Sequence, residues 1–373
     1  MSLLRDLARP VGRPVRKWAI ETRTRTWRAH SRLFVAGDGH DWAIADDARE
    51  IARLAASLGA QLGNESWVSA VRDQAVFHAS QFSLLGQPFE RNGNRLGVAY
   101  LHGRPGTDGM PEFDTCYEAV RTRHEELDRI QVPSEAMEEL VLEAGVAAEK
   151  VFRIPIGIDV ERFTLRTREE RADARARLRL PEDAFVAGSF QKDGVGWEEG
   201  TEPKLIKGPD VLLAAAERLR QRVPELYLLL TGPARGYVKH GLEQLGVPYR
   251  HVLLRGQDGV AKAYHAVDVC LVTSRDEGGP KAVLESMATG VPLVTTRVGQ
   301  AADLVQHSRN GYIVDVEDAN GVADWAGYVA EAADEDLARL ATAGRETAEH
   351  CSYDALAPRW RELLTGYVAL DGA

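Results

Sequence analysis

Hydrophobic positions along the chain fall into short, branched-rich runs separated by longer stretches in which apolar residues recur at three- and four-residue spacing. In the first half the runs are 32–36, 75–79, 96–101, 129–132 and 151–154, and helical spacing covers 46–58, 112–127 and 135–143 between them. The second half repeats the alternation, with strands predicted at 184–190, 226–230, 251–254, 267–272, 292–296 and 312–314. Three helices at 322–333, 337–349 and 353–368 close the chain. Such alternation predicts an α/β protein made of two doubly wound, Rossmann-like domains, each an open parallel sheet with helices on both faces, whose strand carboxyl ends face a shared cleft.

The boundary is placed near residue 160, where Ile154-Pro155-Ile156-Gly157-Ile158-Asp159 leads into an arginine-rich stretch that ends at Pro181. The expected organisation is a leader at 1–30, a first domain at 31–160, a second at 161–350, and a C-terminal helix at 351–373 packing back toward the first. A length of 373 residues agrees with two domains.

Charge changes this picture at one place. The chain carries 46 basic and 56 acidic residues, a net −10 that argues against a general nucleic-acid binder. Residues 1–30 oppose the trend: eight basic side chains against Asp6 and Glu21 give +6, leaving −16 for the rest. With Leu3, Leu4, Leu7, Trp18, Ile20 and Trp27 interleaved, this segment reads as a peripheral contact with an anionic membrane; a solvated basic helix or a disordered leader is the other reading. Arg5 and Asp6 interrupt any apolar signal region, and no long apolar run follows, so a cytoplasmic location is expected. Cys116, Cys270 and Cys351 are odd in number and widely spaced, which predicts reduced, buried thiols and no zinc site.

The chemistry gathers at Ser274 to Gly299. A buried strand, the turn Ser274-Arg275-Asp276-Glu277-Gly278-Gly279 and a helix opened by Pro280 as its first residue make an anion site, because free backbone N–H groups and the helix dipole converge there. A diphosphate suits it. Glu277 lies before this helix and Glu285 about a turn and a half inside it, so the two acceptor-only carboxylates address different parts of one hydroxyl-rich ligand. Taken alone, Glu285 also reads as a solvated helix-face residue and the glycines as a turn. Upstream, a Gly- and charge-rich insertion after 184–190 leads to Lys207-Gly208-Pro209-Asp210 and a helix, which places Lys207 where its charge meets a leaving diphosphate. Gly194-Val195-Gly196 only superficially matches a dinucleotide fingerprint, and a dehydrogenase is rejected.

Five separated motifs, in order, resemble glycosyltransferase family 4. They are Val132-Pro133-Ser134-Glu135, Pro155-Ile156-Gly157-Ile158-Asp159 with Phe163, Lys207 to Leu213, Glu277-Gly278-Gly279-Pro280 through Glu285 to Pro292, and Gly299 with Asp303 and the Asn310-Gly311 turn. The likeness covers about residues 95–370. It implies the GT-B fold and a retaining transfer of a hexose-type sugar from a nucleoside-diphosphate sugar, UDP favoured over GDP. The acceptor would be a hydroxyl of a glycan, a lipid-linked glycan or a small molecule, in cell-surface glycan synthesis.

What the resemblance implies for residues is specific. Lys207 would hold the donor diphosphate, Glu277 the transferred sugar and Glu285 the ribose; amides around Gly278, Gly279 and Pro280 would surround sugar and phosphate. Gly232, Arg255 and Gly256 would flank the nucleotide. His102 resembles the family's histidine near the sugar, its other reading being a loop histidine satisfied by its neighbours. Gly37, Gly39 and Arg104 are the acceptor-side candidates. The family's arginine after the strand glycine is missing at Ser189, and Lys192 or Lys204 is expected to replace its charge. No cofactor and no metal are expected: the D-x-D match Asp334-Glu335-Asp336 lies in a helical, alanine-rich context. A sugar-nucleotide epimerase and an inactive nucleotide-sugar-binding scaffold are the rival readings.

Overall fold

The computed structural model describes residues 32–37, 43–85 and 92–370. The leader at 1–30 and Gly39 lie outside them. The chain divides into two compact units: one comprises the residues up to Val132, Ala136–Ile154 and the chain from Leu356; the other comprises Pro133–Glu135 and Pro155–Ala355.

The first unit is built on a parallel sheet in the order β1 (Leu33–Ala36), β2 (Ala75–His78), β3 (Arg95–Ala99), β4 (Arg129–Val132), β5 (Val151–Arg153). Its core side chains, Phe34, Val76, Val98, Ile130 and Val132 among them, are nearly inaccessible, as expected for strands covered on both faces. The C-terminal helix Ala357–Leu364 belongs to this unit and is shorter than the expected 353–368. It is fastened there by Arg129, whose guanidinium donates to the carbonyls of Leu363 (2.9 Å) and Thr365 (3.0 Å), and by Trp360 packed edge-on to Phe77.

The second unit holds six parallel strands: β6 (Phe185–Phe190), β7 (Leu226–Thr231), β8 (Tyr249–Val252), β9 (Val269–Val272), β10 (Leu293–Thr296) and β11 (Tyr312–Val314). Their spatial order is β11-β10-β9-β6-β7-β8. The chain therefore runs outward from β6 through β7 to β8 and then returns to β9, so β6 and β9 are neighbours at the point where the order reverses. In open α/β sheets the crevice at the carboxyl ends of two such strands is where ligands bind. All four side chains of β9 are buried, and each such apolar side chain contributes roughly 1.5–3 kcal/mol. Two parallel sheets clothed in helices give the α/β class expected from the sequence; the second reverses its strand order as a doubly wound sheet does, whereas the first, among the described residues, runs in chain order from β1 to β5 without the reversal expected of it.

Two local differences have physical causes. Strand β8 starts two residues before the expected 251–254, because Leu253 is 70% exposed and the apolar pair Leu253-Leu254 follows the strand rather than forming it. Pro280 is the cap, with φ −60° and ψ 107°, and the helix begins at Lys281. All three cysteines are free and buried, as expected. Among the described residues no helix is long and apolar enough to cross a membrane.

Candidate functional site

At the switch point, the residues after β6 and after β9 meet. The short 3-10 turn Leu205–Lys207 is pinned to the end of β9 by the backbone bond from Arg275 N to Ile206 O (2.7 Å) and by the Thr273 side-chain hydroxyl, which donates to Gly208 O (2.9 Å). Gly208 makes the approach feasible: its φ is +61°, and a Cβ there would overlap the Thr273 carbonyl oxygen. With the backbone held this way, the Lys207 ammonium forms a short hydrogen-bonded ion pair with Glu277, which also accepts from Ser274 Oγ at 3.0 Å. The side chains of Lys207 and Glu277 are 19% and 12% exposed, so the pair sits where charges interact far more strongly than in bulk water. Arg275 braces the same turn through a bidentate pair to Asp210 (2.8 and 2.7 Å) and a bond to Leu205 O (2.8 Å). That arginine is what holds the Asp210 carboxyl below its ordinary range.

Gly278 and Gly279 follow directly, and the Gly278 carbonyl accepts from Gln300 N at 2.7 Å, which ties the loop to Gly299. They lead to the N-terminus of Lys281–Ala288. Glu285, inside this helix, is 6% exposed, which removes its reading as a solvated helix-face residue. It accepts a hydrogen bond from Tyr264 at 2.9 Å. Burial, and then the Glu285 carboxylate, push the Tyr264 hydroxyl well above its ordinary value, so it remains a donor; its ring stacks on Phe190 at 4.0 Å. Tyr264 sits 21 residues from Glu285 in the chain, and no motif in the sequence singled it out.

The remaining candidates are more dispersed. Lys192 lies over the Trp197 ring, 3.8 Å from its centroid, and burial lowers its pKa from the ordinary value. Lys204 precedes the 3-10 turn, its backbone N–H bonded to Asp193 O. Gly232 follows β7, its carbonyl 2.8 Å from His251 Nε2; Arg255 and Gly256 are exposed at the start of Gly256–Tyr264. In the other unit, His102 stands edge-on to Phe82 (5.7 Å) and Phe113 (5.1 Å), Arg104 is exposed, and Gly37 N donates to Glu65 at 3.0 Å. Among the described residues no group of His, Cys, Asp and Glu is placed to hold a metal.

A polar turn at the carboxyl end of β9, a lysine and a glutamate in contact, and a helix N-terminus beyond them define the site.
Residues 201–331 match the family model of the group 1 glycosyl transferases.
That segment contains Lys207, Glu277, Glu285 and the whole turn between them. The chain is 32% identical over 268 residues to D-inositol 3-phosphate glycosyltransferase of Saccharomonospora viridis, covering 65% of this chain and 57% of the relative. It is 30% identical over 315 residues to the Nocardioides protein of the same name, covering 74% and 64%. The chain thus spans between about half and two thirds of the length of these curated relatives. Among solved structures, Anabaena HepE in complex with UDP-glucose superposes with a TM-score of 0.72 at 17% identity, over 90% of this chain and 100% of that one. Sucrose-phosphate synthase from Thermosynechococcus elongatus gives 0.63 at 21% identity, over 78% and 73%. At such identities the likeness is one of fold.

Proposed function

We propose that this chain is a retaining, metal-independent glycosyltransferase that moves a hexose-type sugar from a nucleoside-diphosphate sugar to an acceptor hydroxyl. The observation that carries the reading is the Lys207–Glu277 pair at the β6/β9 switch point, beside the N-terminus of Lys281–Ala288. A diphosphate entering there meets the lysine and the first free N–H groups of the helix, and both stabilise the negative charge that grows as it departs. The bond from the sugar C1 to the diphosphate oxygen breaks, and a bond from C1 to the acceptor oxygen forms on the same face. The acceptor proton passes to the departing phosphate. Glu277, released from full pairing with Lys207 as the diphosphate arrives, accepts from sugar hydroxyls, while Glu285, oriented by Tyr264, is assigned the ribose.

Gly232, Arg255 and Gly256 are assigned to the nucleotide, Lys192 or Lys204 to the charge missing at Ser189. His102, Gly37 and Arg104 keep the roles implied by resemblance. UDP is named before GDP, which the UDP-glucose complex of HepE supports. The acceptor is a glycan, a glycolipid or a small molecule, and the name of the curated relatives supports a phosphorylated polyol among these. Peripheral membrane association through residues 1–30 belongs to the same proposal.

Glu277→Gln tests the division of labour. It is expected to leave the Kd for the free nucleoside diphosphate within about twofold while lowering transfer about a hundredfold, since only the sugar-side contact is lost. Titration calorimetry beside a transfer assay reads both numbers. Equal loss of binding and transfer would mark Glu277 as a structural partner of Lys207.

A further inference from the structure

The insertion between β6 and Lys207 is a folded hairpin. Gly194 and Pro203 pair as an antiparallel bridge, Val195 N donates to Glu202 O at 2.9 Å, and Lys204 N donates to Asp193 O at 2.8 Å. Its base rests on Arg235, which is 1% exposed. A buried guanidinium is tolerated only when its charge is paired and its N–H groups are bonded. Here Nε lies 3.0 Å from Asp193 Oδ1, and Nη1 donates to the carbonyls of Ser189 (2.9 Å), Gln191 (2.8 Å) and Thr231 (2.8 Å). Nη2 adds Ser189 Oγ at 2.9 Å. One side chain thereby locks the carboxyl ends of β6 and β7 together.

Gln191 is the outlet of this lock. Its carbonyl is held by Arg235, and its side-chain Nε2 donates to the Lys207 carbonyl at 3.0 Å. A continuous path of hydrogen bonds therefore runs from Arg235 through Gln191 to the backbone of Lys207, and from the Lys207 ammonium to Glu277.

We propose that Gln191, braced by Arg235, is a positioning residue for Lys207, fixing the backbone from which the lysine reaches the leaving diphosphate. The proposal rests on the role assigned to Lys207 above. Lys207 keeps its charge without Gln191 and still attracts the donor, but its ammonium loses its fixed origin. Misplacement of a charge-stabilising group slows bond cleavage more than it weakens binding.

Gln191→Met keeps the side-chain length and removes the donor. Expected is a fall in kcat of about tenfold, with donor KM within about twofold of wild type. The melting temperature stays within about two degrees, as for a single partly exposed hydrogen bond. Placed on Lys207→Ala, the same substitution lowers kcat no further, because the group it positions is gone. Unchanged kcat in Gln191→Met, losses that add in the double variant, or a fall in kcat matched by a large fall in melting temperature would each overturn the inference. Wild-type activity in Lys207→Ala would instead overturn the reading of the site.

Discussion

Lys207→Ala lowers turnover by about a hundredfold or more, the scale expected when one well-placed charge-stabilising donor is removed from a dry site. Two effects combine. The variant lacks the positive charge proposed to meet the departing diphosphate, and it removes the Lys207 ammonium that pairs with Glu277, whose side chain is 12% exposed. Glu285→Ala is expected to act differently, because Glu285 sits inside the helix, bonded to Tyr264, and is proposed to hold the ribose. It chiefly weakens nucleotide binding. Steady-state kinetics with donor titration separate the two, and unchanged kinetics in both variants would dismantle the site.

Gly208→Ala produces the largest expected loss of stability among single-methyl substitutions at the site. Its φ of +61° alone costs an L-residue roughly 1–2 kcal/mol. The added Cβ also overlaps a backbone oxygen, that of Thr273, which cannot swing aside as a flexible side chain would. The strand end and the 3-10 turn must separate, carrying Lys207 away from Glu277. A destabilisation of about 3 kcal/mol, hence a melting transition roughly 10 °C lower, is expected together with at least a tenfold loss of turnover. Gly256→Ala is the matched control: its φ is +65°, yet nothing lies within 4 Å of the new methyl. It should show the conformational cost alone. Equal melting temperatures in the two variants would show that the close approach to Thr273 does not hold the turn.

The central strands were legible where burial on both faces makes the sequence an uninterrupted apolar run; Val269 to Val272 is such a case. Strand β8 was misplaced for the opposite reason. It lies at the sheet edge, all four of its residues are only partly buried, and Arg250 and His251 dilute the signal. Lys207 and Glu277 stand 70 residues apart, and periodicity could not have joined them; ordered motifs did. Glu285 was found by the same motifs, but its burial was not, because the partner Tyr264 comes from a helix with no fixed spacing to it. The hairpin at 194–203 escaped entirely. Gly-rich, charged sequence reads as loop, whereas its order comes from Arg235, whose partners Ser189, Gln191 and Asp193 precede it by more than forty residues. A lone arginine after the turn that ends β7 carries no sequence mark of that role.

The β6/β9 switch point of the second unit is proposed to hold a nucleoside-diphosphate sugar. Thermal melting of the full chain against a panel of UDP- and GDP-sugars, with release of the nucleoside diphosphate followed in the same samples, tests it most directly. The expected result is stabilisation by one sugar nucleotide, worth about 2.7 kcal/mol at a hundredfold excess over its Kd, with slow release of its diphosphate that disappears in Lys207→Ala. No shift and no release with any member of the panel, or release undiminished in Lys207→Ala, would contradict the account.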